Sequence, residues 1–271
     1  MKSVPLLPDR PRPLLFAHRG CSSLAPENTM AAYRKAREAG APGIELDVHI
    51  SAPTAGNNGE LVVAHDDTFI RTAPGDANGN GRTIEELSFA EIRTIDVGSF
   101  FSPAFSGERP PLLAEVLEEF CPDMYIDIEL KSHKTTRDPL PRLVAETLKR
   151  LGPKIDGAVT VSSFNSLCLR AFKCYNPRIP TAAIWCDAPE VPRIFRRGFG
   201  RFIARSNYVK PVHLQVNQSF CSRMAKERRP LVPWTIDDPA LAEKMLSLGC
   251  EGIISNRPQD MLQLIRTFFH G

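Results

Sequence analysis

The chain has 271 residues, is 42% hydrophobic and 24% charged, and carries a formal net charge of +3 at pH 7. That is enough apolar material for one large core, as in barrels of about 250 residues. The small net charge, with both signs interspersed, argues against a nucleic-acid partner. Seven scattered cysteines make neither a disulfide framework nor a close-spaced zinc pattern, and their odd number favours a reducing compartment. The proline-rich start MKSVPLLPDRPRP lacks the apolar run of a signal peptide. No stretch approaches the ~20 apolar residues that span a bilayer. The expectation is a soluble, cytoplasmic chain with no stable membrane anchor.

In chain order, PLLFA at 13–17 reads as a short buried strand ending at His18-Arg19-Gly20. Pro26, Glu27 and Asn28 stand where a helix starts, and TMAAYRKAREAG runs helically to Gly40, a C′ glycine. Residues 43–50 form the next strand. Strand, helix, strand in so short a stretch is a βαβ unit with parallel strands. The rhythm then breaks: SAPTAGNNGE carries turn residues and no helix, so residues 61–65 return as a hairpin arm standing on the second strand. Residues 51–109 read as an insertion, containing a short helix SFAEIRTI with a Ser88/Glu91 capping box.

Regular alternation resumes afterwards. PLLAEVLEEF, PLPRLVAETLKRLG, NSLCLRAFKCYN, APEVPRIFRRG, SFCSRMAKERR, DPALAEKMLSLG and RPQDMLQLIRTFF read as helices. MYIDIELK, AVTVSSF, TAAIW, PLVPWTI and GIISN read as strands, and one more strand lies within 201–217, either FIAR or HLQVN. Eight strand–helix units over this length predict a closed parallel barrel, one domain over 1–271 interrupted only by 51–109.

Polar residues at the C-terminal ends of barrel strands mark the active site of such a fold. Glu45 and Asp47 are two apart on one strand, as are Asp127, Glu129 and Lys131 on another, so each set shares a face. Ile44, Leu46, Ile126, Ile128 and Leu130 alternate with them and face the helices. Carboxylates converging from neighbouring strands suit a hard divalent cation, Mg²⁺ or Ca²⁺. The competing reading is a structural ion pair such as Lys131 with Glu129. His18 and His65 end strands above these acids and suit acid–base work near neutral pH. Arg19 offers a guanidinium fork that matches phosphate oxygens.

The series HRG (18–20), PENT (26–29), E-x-D (45–47), HD (65–66) and E-x-K (129–131), with VPWTID and IISNRP downstream, resembles the glycerophosphodiester phosphodiesterase family. The resemblance runs from about residue 14 to 258. It implies a TIM-type (β/α)8 barrel with a small insertion after the second strand. It also implies metal-dependent cleavage of a glycerophosphodiester to sn-glycerol 3-phosphate and an alcohol. By matching positions, Glu45, Asp47 and Glu129 would hold the metal and His18 and His65 would form the acid–base pair. Arg19 and Lys131 would hold the phosphate, Trp234 would line the substrate side, and Glu27 would lie near the site. A lysophospholipase D acting on lysolipids, or a barrel that binds glycerophosphodiesters without turnover, are the alternatives. Which histidine is the base, and whether water or the glycerol 2-hydroxyl attacks, stays open.

Other features read as structural. Cys21 is packing, and Asn256, standing where the family commonly has aspartate, bears on substrate choice. DANGNG at 76–81 is a turn rather than a calcium loop. The basic run 193–210 reads as a solvated helix and loop in preference to an anionic-surface or lipid contact. His49, His133, His213 and His270 have no ligand spacing. Phe100, Phe101 and Phe105 are expected to form the insertion's own small core, the alternative being an apolar rim for a lipid-like alcohol.

Overall fold

The computed structural model describes residues 6–75, 81–189, 191 and 193–269. The 76–80 part of the DANGNG turn and His270 lie outside these.

Strand β1 (Leu14–His18) leads into helix α1 (Met30–Ala39). Thr29 caps the helix by accepting the Ala32 N–H, and Gly40 ends it in the left-handed region at φ +86°. The PENT residues therefore form the turn before the helix, and Glu27 is free to pair elsewhere. β2 (Gly43–Ile50) is buried along its whole length, as expected of a parallel strand covered on both faces. β3 (Leu61–Val63) returns antiparallel, pairing Val63 with Val48 and Leu61 with Ile50. In the insertion, α2 (Phe89–Ile92) carries the Ser88/Glu91 capping box in full.

The remaining elements are α3 (Leu113–Phe120), β4 (Tyr125–Leu130), α4 (Leu140–Leu151), β5 (Val159–Ser163), α5 (Ser166–Tyr175) and β6 (Thr181–Trp185). They continue with α6 (Gly200–Ala204), β7 (Tyr208–Pro211), α7 (Gln218–Lys226), α8 (Pro239–Ser247), β8 (Gly252–Ser255) and α9 (Pro258–Phe269). The parallel order is β7-β6-β5-β4-β2-β1-β8, with β3 attached to β2. The ring closes through residues 231–236. There Val209 bridges Leu231, Val212 bridges Trp234, and the Ile254 N–H reaches the Pro233 carbonyl. This is the expected TIM-type barrel.

Two apolar clusters flank the strands. The outer one gathers Ile44, Leu46, Ile126, Ile128 and Leu130 against the helices. The inner one fills the axis with Leu14, Phe16, Tyr125, Tyr208, Val232 and Ile254, and includes Leu6 and Leu7 from the N-terminal segment. Tyr125 lies over Gly43, where a Cβ would stand 1.9 Å from its ring. Its hydroxyl accepts from the Leu15 N–H at 2.6 Å and donates to the Leu15 carbonyl at 3.0 Å, which removes the cost of burying it.

Four expectations are corrected. The strand within 201–217 is neither FIAR, whose first three residues belong to α6, nor HLQVN, which opens with a 3-10 turn at His213–Gln215. It is YVKP, which a lysine and a proline disguise as a loop. APEVPRIFRRG forms turns rather than a helix in its described residues. PLVPWTI makes single bridges rather than a ladder, since Pro230 and Pro233 have no N–H to donate. The insertion's core is Val62, Phe69, Ile84, Leu87, Ile92 and Ile95. Phe100 and Phe101 are exposed instead, and Phe101 stacks edge-on against Phe105 at 5.6 Å.

Candidate active site

The parallel register β2–β4 sets Glu45 opposite Asp127 and Asp47 opposite Glu129, with all four side chains directed to the barrel interior and buried. Glu45, Asp47 and Glu129 each offer an oxygen, and these atoms lie within 4.8 Å of one another. Asp127 is engaged differently. It accepts from Lys210 Nζ (2.5 Å), Ser162 Oγ (3.2 Å), Thr160 Oγ1 (3.0 Å) and Tyr208 OH (3.1 Å).

The acids of the upper group have fewer partners. Glu45 accepts the Arg19 backbone N–H at 3.1 Å, with Lys210 Nζ at 3.9 Å. Glu129 accepts Lys131 Nζ at 3.0 Å, so the ion pair weighed from spacing exists alongside the carboxylate cluster. Asp47 accepts Asn28 Nδ2 at 2.9 Å and lies 3.4 Å from both Arg19 Nε and Lys131 Nζ. The electrostatics follow from this layout. Burial and the adjacent Asp47 charge push the Glu45 carboxyl well above the usual range. Burial would raise Asp47 too, but Lys131 and Arg19 outweigh it and hold that carboxyl below its ordinary value.

His18, His65, Arg19, Glu45, Glu129, Lys210 and Trp234 line one pocket of about 390 Å³, with Phe164, Ile184 and Ile254 as its apolar wall. Trp234 is held by an Nε1–H bond to the Lys210 carbonyl (3.0 Å) and meets Phe164 edge-on at 5.7 Å. Burial, then the Arg19 charge, lowers the His18 pKa to about 4, so its 3.9 Å approach to Glu45 is not an ion pair at neutral pH. The tautomer is fixed from behind. Asn256 gives its Nδ2–H to Asp237 Oδ2 at 2.7 Å, which leaves Oδ1 to accept from His18 Nδ1–H at 2.7 Å. The bare His18 Nε2 therefore faces the acids.

His65 Nδ1 contacts Asp66 Oδ1 at 2.6 Å. Arg71 joins Asp66 (2.7 Å) to Glu27, and Glu27 in turn accepts Arg19 NH1 at 2.9 Å. One charged chain thus runs from the hairpin arm to the HRG turn. Among the described residues, Arg19 Nε is a buried donor with no hydrogen-bond partner.

All nine residues picked from the sequence fall in or against this constellation. Sequence reasoning missed Lys210, Asp66, Arg71, Asn28 and Asp237. Lys210 was hidden in the basic run, which also contains buried Arg201, clasped by Glu227 at 2.8 and 3.0 Å. That run is therefore only partly a solvated surface. Asn256 likewise contacts His18 directly and is not confined to a specificity loop. Its position, last on a strand beside β1, was the available signal.

A family model described as the glycerophosphoryl diester phosphodiesterase family matches residues 18–260. A glycerophosphodiester phosphodiesterase of Caldanaerobacter subterraneus is 32% identical over 255 residues, covering 93% of this chain and 98% of that protein. One from Bacillus altitudinis is 28% identical, covering 92% and 97%. Among solved structures, an Oleispira antarctica phosphodiesterase in complex with the product sn-glycerol-3-phosphate superposes with a TM-score of 0.80 at 27% identity, covering 94% of this chain and 97% of that one. A glycerophosphodiester phosphodiesterase of Agrobacterium tumefaciens gives 0.72 at 25% identity, covering 91% and 97%.

Proposed function

Since the chain belongs to the glycerophosphoryl diester phosphodiesterase family, we propose that it hydrolyses glycerophosphodiesters to sn-glycerol 3-phosphate and an alcohol with the help of one divalent cation. The observation that carries this reading is the convergence of Glu45, Asp47 and Glu129 beside His18 and Arg19. The donor set fits a hard ion: all oxygen, all buried, and short of positive charge. Lys210 is committed to Asp127, and Arg19 is shared with Glu27. When bound, Mg²⁺ or Ca²⁺ supplies a positive charge against the phosphate oxygens that become more negative in the transition state.

The chain's own groups do the rest. Arg19 Nε, buried and with no hydrogen-bond partner among the described residues, suits a non-bridging phosphate oxygen, and its guanidinium is aimed by Glu27. Lys131, tied to Glu129 and Asp47, adds a second cation on the same side. His18 is neutral at working pH with Nε2 unprotonated, so it takes the proton of the nucleophile, either water or the glycerol 2-hydroxyl, and in the second case water then opens the cyclic phosphate to glycerol 3-phosphate. His65, backed by the Asp66 carboxylate, gives a proton to the departing alkoxide. Trp234 and Phe164 wall the substrate.

The test is release of glycerol 3-phosphate from glycerophosphocholine and glycerophosphoethanolamine with Mg²⁺, with Ca²⁺ and with EDTA. Metal-dependent release that EDTA abolishes is the expected result. No release with any metal overturns the reading.

A further inference from the structure

Positive charge is not spread evenly over this molecule. Residues 186–229 contain ten lysines and arginines but three acids, a net charge of +7 in a chain whose total is +3, so the remainder sums to −4. Part of this charge is consumed internally. Lys210 is inside the barrel with Asp127, Arg201 and Arg229 share Glu227, and Arg196 lies 3.7 Å from Asp187. Arg197, Arg205 and Arg223 are exposed and make no ion pair among the described residues.

The same segment exposes large apolar side chains. Leu214 is 82% and Ile194 60% accessible, with Phe199 and Phe202 close to half exposed. Ile194 and Leu214 lie on two separate loops, Phe199 and Phe202 lie at the start of and within α6, and Gln215 fastens the two loops together. It accepts Trp185 Nε1–H at 2.9 Å and donates to the Arg196 carbonyl at 3.0 Å. The loops follow β6 and β7, so Ile194 and Leu214 sit at the same strand ends as His18. Between them runs an open groove lined by Arg197, Phe199, Phe202, Phe220 and Arg223.

We propose that this face docks the protein reversibly on an anionic lipid bilayer. Exposed arginines interleaved with exposed aliphatic residues match both halves of a headgroup boundary: lipid phosphates outside, acyl carbons just beneath. A nucleic acid fits less well. Leu214 and Ile194 gain nothing from a sugar–phosphate backbone. The two phenylalanines available to stack bases are engaged, edge to face with each other at 5.9 Å, with Arg201 over Phe202 at 4.1 Å. No helix of the described residues is long and apolar enough to cross a membrane, so the contact is peripheral. Docking is independent of turnover and does not rest on the hydrolytic reading.

The experiment is cosedimentation of the intact protein with sucrose-loaded vesicles of phosphatidylcholine, with and without about 30 mol% phosphatidylglycerol. The wild type is expected to sediment with the anionic vesicles, to stay in solution with phosphatidylcholine alone, and to be released by about 0.5 M NaCl. Each arginine near an anionic surface contributes roughly a fivefold factor in partitioning, so R197Q with R223Q should weaken it about 25-fold. I194S with L214S should weaken it about tenfold. Unchanged thermal midpoints in both double variants establish that folding is intact. Failure to sediment with anionic vesicles, or sedimentation of both variants at wild-type levels, overturns the proposal. So does tight binding of a single-stranded oligonucleotide by a protein that ignores vesicles, which would make the face a nucleic-acid surface.

Discussion

Asp127 and Glu129 stand two residues apart on one strand, face the same interior, and live in opposite circumstances. Asp127 is saturated: Lys210, Ser162, Thr160 and Tyr208 bring four donors to its two oxygens. Glu129, with Glu45 and Asp47, shares Lys131 and part of Arg19 and faces a solvent-connected pocket. A buried carboxylate that is fully paired acts as scaffold, because removing any partner leaves a charge in low dielectric. Carboxylates left short of cations are held ready for a ligand, at a cost in stability that the rest of the fold offsets. The lower group keeps the barrel strands in register around the axis. In the proposed function, the upper group is where a cation and a phosphate gain most from arriving.

The sharpest break of this contrast comes from substitutions in the upper group. D47N or E129Q should lower turnover roughly a thousandfold, as expected for loss of a metal ligand worth several kcal/mol to the transition state. H18A should lower it by roughly 10²–10⁴. In E129Q and H18A the urea midpoint should stay close to wild type, whereas D47N gives up the ion pairs of Asp47 with Lys131 and Arg19 and should lose part of its stability. Steady-state assay beside equilibrium unfolding measures both, and a D47N protein that unfolds far more easily while still turning over would reverse the assignment.

The lower group should behave the other way. K210M strands Asp127 as an uncompensated charge and should cost about 3–5 kcal/mol in urea unfolding. Adding D127N should recover part of that loss, because the two residues form one interaction. If K210M were no less stable than D47N, the two groups would not differ as described.

A pH series in EDTA sharpens the contrast further. The Glu45 carboxyl titrates above its ordinary range, so the folded state holds its proton longer than the unfolded chain does. Its contribution is full below the unfolded carboxyl pKa and is lost as pH rises toward the raised folded value. His18 has the opposite dependence: depressed to about 4, it takes stability away as pH falls below its unfolded value of about 6.5. Measured as the difference between E45Q and wild type, the Glu45 effect appears alone: E45Q should gain relative stability with rising pH, and added Mg²⁺ or Ca²⁺ should remove the trend. A flat difference in EDTA would mean that Glu45 is already compensated.

The smallest effect is Y208F. Tyr208 is one of four donors to Asp127, so its loss should cost about 1 kcal/mol, far below K210M. A much larger loss would make Tyr208, rather than Lys210, the keystone of the lower group.

Much of the molecule was legible before folding. Glu45/Asp47 and Asp127/Glu129/Lys131 declare their shared face through a period of two, and the alternate isoleucines and leucines confirm it by packing outward. The hairpin after β2 was readable because a ten-residue segment with turn residues and no helix is too short for a parallel crossover. Misreadings cluster where a residue's environment departs from its type. Lys210 looks like surface charge but lies in the core. Phe100 and Phe101 look like core but are exposed. The strand YVKP was passed over because its chemistry suits the barrel axis rather than an apolar sheet.

The sequence by itself therefore determined the alternation of strands and helices, the inward faces of β2 and β4, and the residue types available for metal and proton chemistry. These depend on local period and on side-chain chemistry, both carried by neighbours in the chain. Only the tertiary structure decided which acids are satisfied and which are not. Asp127 meets Lys210 across 83 positions, and His18 meets Asn256 across 238. Asn256 can fix the His18 tautomer only because Asp237 fixes Asn256. A carboxylate's role here is set by the sum of donors that closure of the barrel brings to it, and that sum has no trace in local spacing.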